Sequence, residues 1–164
     1  MNRILVLLGT SLFCLILAGC GGDPRRDAID GVVQLMNGAA GDVSSITTAV
    51  DSAVAKHKKE NTPLELTDAI AAAKGLAAKG KELQDFKVGR IDQIKPATEE
   101  EKVDLAEKFR TQINGAVTAL VKAKTDLNKS LQAAEAIDKD KVEELRGKIR
   151  EAEGPFEALA RQQG

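Results

Sequence analysis

Apolar and small side chains recur from Ile29 onward in alternating steps of three and four: Ile29, Val32, Met36, Ala39, Val43, Ile46, Val50 and Ala53. An α-helix turns once in about 3.6 residues, so this spacing lines one face of a single long helix. Val33, Ala40, Thr47 and Val54 widen the stripe. Asp23-Pro24 supplies an N-cap and a first helical residue, because Pro needs no amide partner there. Lys56, Lys58 and Lys59 put positive charge on the negative end of the helix dipole. The pattern predicts a first helix from Pro24 to about Lys59.

A second helix is predicted to begin at Thr62-Pro63-Leu64-Glu65, with Thr62 as cap, Pro63 first and Glu65 closing a capping box. Leu66, Ile70, Ala73, Leu76, Leu83 and Phe86 mark its apolar face. Its centre, Ala71 to Gly80, is almost all Ala, Gly and Lys. Each interior Gly costs about 1 kcal/mol relative to Ala, so such residues need a packing reason. Gly38, Gly41, Gly75, Gly80 and Gly115 are therefore expected at close helix contacts. Gly89 is the expected end of this helix. Ile91 and Ile94 either extend it or form a separate turn before Pro96 stops the chain.

Thr98-Glu99-Glu100-Glu101 reads as a capping box with three acids on the positive helix end. A third helix of about 35 residues should follow, with Ala106, Phe109, Ile113, Val117, Leu120, Leu127, Leu131 and Ala134 on its seam. Asp138 or Asp140 then caps a fourth, and Asp140 with Glu143 suggests another capping box. Val142, Leu145, Ile149, Ala152, Phe156 and Leu159 stay in phase across Gly154-Pro155, which favours a kink over a break. Runs with period two are absent. The expected fold is all-α, an up-down bundle of three or four long amphipathic helices. Its core should use Ile46, Val50, Ile70, Ile113, Leu120, Leu127 and Leu145.

The first residues obey a different pattern. Arg3 gives a basic start, Ile4 to Leu17 is largely apolar, and the small residues Ala18 and Gly19 precede Cys20. That is the anatomy of a secretory signal peptide. The run is short for a membrane-spanning helix, which needs about 20 residues. Leu17-Ala18-Gly19-Cys20 resembles the bacterial lipobox at all four positions. The resemblance implies cleavage before Cys20 and attachment of a diacylglyceryl group to its sulfur. Residues 1–19 are then the signal peptide, residues 20–24 a lipid-attached tether and residues 25–164 the bundle domain. Gly21, where an Asp would retain an enteric lipoprotein in the inner membrane, implies the periplasmic side of the outer membrane in a Gram-negative cell. Beyond being a helical lipoprotein, the chain differs from the murein-linked major lipoprotein: it ends Arg161-Gln162-Gln163-Gly164, without that family's cross-linking lysine.

Composition narrows the function. The chain has two cysteines. The lipobox resemblance implies that Cys14 leaves with the signal peptide and Cys20 takes the lipid, so no thiol would be left for catalysis, disulfides or metal. Charged residues make up 30% of the chain and nearly cancel, at net -1, which argues against nucleic acid as a partner. Aromatics are 2%, with neither Trp nor Tyr, so stacking platforms for bases or sugars are lacking. His57 is the single histidine and Met36 lies 21 residues before it on the same predicted helix, about 30 Å away, too far to share one haem iron. No Glu-x-x-His pair suggests a di-iron site. Ser44, Ser45, Ser52 and Ser130 fall inside helical patterns, without a nucleophile elbow. No catalytic, metal-binding or cofactor-binding residue is expected; Cys20 is the one expected site, for lipid attachment. The expected function is non-enzymatic: an envelope lipoprotein whose bundle serves as spacer, scaffold or partner-binding module. The alternative is a carrier of a small apolar ligand, using room left between helices by the Ala/Gly stretch. Membrane lipid, through acylated Cys20, and a protein are the expected partners.

Overall fold

A computed structural model describes residues 24–86 and 98–161. Among them are four helices and no strand: α1 (Pro24–Glu60), α2 (Thr67–Asp85), α3 (Glu99–Glu135) and α4 (Lys139–Arg161). None is long and apolar enough to cross a membrane. Asp23, Gly89, residues 90–95 and Pro96 lie outside the described residues.

Side-chain pairs give the directions of the helices. Arg25 meets Glu101 at 3.2 Å and Asp30 meets Lys108 at 3.1 Å, so α1 and α3 run parallel. Asp42 meets Lys79 at 2.6 Å while Gly31 lies under Phe86, so α2 returns antiparallel to α1. Lys141 reaches the Leu64 carbonyl at 2.6 Å and Gly80 sits on Ala152, so α4 runs parallel to α2. Glu135 meets Arg146 at 2.9 Å across the tight turn between α3 and α4. The result is an up-down-up-down bundle in which α1 packs on α2 and α3, and α4 completes the ring between them. The α3–α4 seam is the most thinly packed side.

The core follows the heptad stripes. Ile29, Val32, Met36, Ala39, Val43, Ile46 and Val50 are all buried on α1. Val142, Leu145, Ile149, Ala152, Phe156 and Leu159 are all buried on α4, which continues through Pro155 to Arg161. Of the expected core set, Ile46, Val50, Ile113, Leu120, Leu127 and Leu145 are buried; Ile70 is half-buried against the core. The Thr98–Glu101 capping box forms as expected.

Several expectations need correction. α2 begins at Thr67, not at Pro63, and no side chain caps it. Leu64 and Leu66 are both buried. Two residues apart, they would diverge on a helix, whereas an extended segment turns both to the same side. Asn61, at φ 51, makes the turn that allows this. On α1 the seam ends on buried Val54, with Ala53 half-buried. On α3 it begins at Leu105, leaving Ala106 exposed, and it continues through Ala116 and Ala123. Phe86 is 46% exposed, because α2 ends there and its ring rests on the notch at Gly31. Asp138 is the cap of α4, accepting from the Lys141 N–H at 3.1 Å. Asp140 therefore lies inside the helix, and Glu143 pairs with Arg146 and Arg150 instead of closing a box. A Cβ on Gly41 or Gly115 would meet open space, so neither marks a helix contact, whereas Gly38, Gly75 and Gly80 do.

Candidate functional site

The Ala/Gly stretch of α2 opens a groove. On α2, Ile70, Ala73, Ala77 and Gly80 step by three or four along one face; on α4, Ala152, Pro155 and Leu159 do the same. The helices touch at Gly80, where a Cβ would stand 2.6 Å from the Ala152 carbonyl oxygen. This contact brings two parallel backbones together and leaves a channel of about 1150 Å³ along their outer side. Its floor is small and apolar. Ala77 and Ala158 are exposed along it, so the channel is open to solvent rather than enclosed.

Charges flank this floor. Lys74 and Lys81 stand on the α2 wall and Lys148 on the α4 wall, with Asp85 and Glu151 nearby. None of these five pairs with an opposite charge among the described residues. Lys79 differs: it sits on the same helix but faces α1 and pairs with Asp42.

A second crevice, of about 210 Å³, lies in the α3–α4 seam. Glu153 lines it, 94% buried, with its carboxylate 3.1 Å from Lys124 Nζ and its Oε1 without a hydrogen-bond partner among the described residues. Burial pushes the Glu153 carboxyl above its ordinary range, against the pull of Lys124. Burial lowers the Lys124 ammonium, but Glu153 and Glu157 more than offset it, so its pKa is raised. Glu157, bonded to Lys124 at 3.2 Å, is held below the ordinary carboxylate range. Sequence periodicity did not single out Glu153 or the groove lysines. The available signals were the flank position of Glu153 beside the seam residue Ala152, and the seven-residue spacing of Lys74 and Lys81 beside the alanine stripe.

The residues weighed for chemistry are not brought together. Cys20 lies outside the described residues. His57 is half-buried, its Nδ1 2.5 Å from the Thr62 carbonyl oxygen, so the ring ties the end of α1 to the following segment. Met36 is buried in the core. Ser44, Ser45 and Ser130 donate their hydroxyls to carbonyls one turn back in their own helices. Glu101 serves its capping box and meets Arg25. Among the described residues, no three acidic, His or Cys side chains cluster as metal ligands would. Comparison with protein-family models, with curated proteins and with solved structures finds no match to this chain.

Proposed function

We propose that the protein is a cell-envelope lipoprotein, held at a membrane by acylated Cys20, whose helical bundle is a partner-binding module with the α2–α4 groove as its docking face. The groove is the observation that carries this reading. The bundle buries its apolar stripes in its own core, and the large apolar side chains left exposed among the described residues are only Phe86, Val103 and Val121. Among the described residues, the open groove is a continuous apolar feature still available to a partner. The lipid anchor rests on Leu17-Ala18-Gly19-Cys20.

The groove also favours a second reading, a carrier of a small apolar ligand, since about 1150 Å³ exceeds the space most such ligands need. That reading ranks second because ligand sites bury roughly 70–90% of their ligand and this channel is open along its length.

The test is photo-crosslinking in intact cells from a reactive residue at Ala77, in the groove, and at Val121, outside it. A discrete protein adduct from Ala77 alone is expected. Equal adducts from both positions, or none from Ala77, would contradict the docking face.

A further inference from the structure

The charges along the groove specify what kind of partner it takes. We infer that the α2–α4 groove receives an amphipathic helix of about four turns, with a small apolar face and acidic residues on its flanks. This inference rests on the partner-binding reading and names the partner's chemistry.

Shape comes first. The groove follows α2 from Ile70 to Asp85, about 22 Å at 1.5 Å per residue. Its two walls run in the same chain direction. Its floor at Ala77, Gly80 and Ala152 carries almost no side-chain bulk, so an incoming helix backbone can approach closely. A lone hydrocarbon chain lying there would keep one side in water. A helix brings its own polar back and closes the channel, as in helix-in-groove recognition.

Charge sets the flanks. Lys74 and Lys81 are seven residues apart on one wall, two turns of helix or about 10.5 Å. Acids at i and i+7 on a partner helix match that spacing. Gly80 lies against Ala152 and the helices are parallel, so Lys148 on the opposite wall stands within about one turn of Lys74. A third acid, on the partner's other flank, meets it there. Glu151 and Asp85 oppose a uniformly acidic partner and so fix its register and direction. Such complementarity contributes more to selectivity than to raw affinity.

The probes are two synthetic helices of about 18 residues with the same Ala/Leu face. One has Glu at i and i+7 on one flank and a third Glu on the other flank, and the other has Lys at those three positions. Binding to the purified protein, expressed from the full-length sequence, is followed by fluorescence anisotropy. The Glu peptide should bind about tenfold tighter than the Lys peptide. Lys74→Glu with Lys81→Glu should reverse the order, and Ala77→Arg should abolish both. All three side chains are exposed, and unchanged circular dichroism verifies that the bundle is intact. Failure of the Glu peptide to bind, equal binding of the two, or an order unchanged in the double variant would overturn the inference. Dodecanoate binding that Ala77→Arg removes, without peptide binding, would overturn it in favour of a small amphiphile. A groove-specific protein adduct from Ala77 with no preference for the Glu peptide would leave the docking face standing and remove only the acidic helix.

Discussion

The Glu153 carboxylate lies 3.1 Å from the Lys124 ammonium, with the Glu153 side chain only 8% exposed, and so joins α4 to α3 across the thinnest seam of the bundle. Breaking a buried pair by removing one partner strands the other charge. Lys124→Met should therefore cost about 1–3 kcal/mol at pH 7, discounted for the partial exposure of the lysine. The cost should shrink toward pH 4. The folded-state pKa of Glu153 lies above its ordinary 4.5, so the folded protein binds this proton more tightly than the unfolded chain. This group's contribution to stability therefore rises as pH falls from the folded value toward 4.5. Without Lys124 the carboxyl is pushed higher still and is neutral in mild acid. Replacing both residues, Lys124→Met with Glu153→Leu, should recover most of the loss. Urea unfolding at the two pH values measures this, and an equal cost at both would exclude the buried-charge explanation.

The same network has an alkaline limit. Lys124 is raised above 10.5 by its two carboxylate partners, so its contribution is complete below 10.5 and is lost as pH rises through the folded value. Glu157, lowered, contributes above 4.5 and loses that as pH falls through its folded value. The wild type should lose stability above about pH 10.5 more steeply than Glu153→Gln/Glu157→Gln, read from thermal unfolding.

Two glycines of the same residue type should respond with opposite sign. A Cβ at Gly80 would stand 2.6 Å from the Ala152 carbonyl oxygen, a backbone atom that cannot step aside cheaply. Gly80→Ala should separate α2 from α4 and cost about 1–3 kcal/mol, despite the better helix propensity of Ala. Gly115 faces open space, so Gly115→Ala should stabilise by roughly 0.5–1 kcal/mol. Equal responses in denaturant unfolding would mean that Gly80 is not a close contact.

Much of this architecture was legible because helix packing repeats. One apolar stripe per helix placed α1, α3 and α4 to within a few residues, and the Thr98–Glu101 capping box marked the start of α3. Where the pattern misled, tertiary packing had overridden a local signal. Thr62-Pro63-Leu64-Glu65 has good capping chemistry, yet burying Leu64 and Leu66 together requires extended chain. Gly115 and Gly80 look alike in sequence, and only the neighbouring helix separates them. The groove was half legible: the Ala/Gly stretch announced room, but the flanking charges acquire meaning only once α4 lies beside α2. Glu153 was not legible, because its burial depends on how α4 rolls against α3.

Leu120 is buried on α3 and Val121 is exposed beside it. Leu120→Ala should cost about 2–5 kcal/mol, through lost burial and the cavity left behind. Val121→Ala should stay within about 0.5 kcal/mol, as most surface changes do. The pair fixes the rotation of α3 about its axis, and a reversed order of the two losses would rotate it by one residue.

The proposed anchor at Cys20 would set the bundle and its groove at a membrane surface. The most direct measurement labels growing cells with radioactive palmitate and compares the wild type with Cys20→Ser, following label, size and membrane fraction together. The wild type should carry the label, run at the processed size and stay with the membranes. Cys20→Ser should carry no label and remain unprocessed. Equal labelling of both, or identical processing and membrane retention in the substituted protein, would contradict a lipid anchor at this residue.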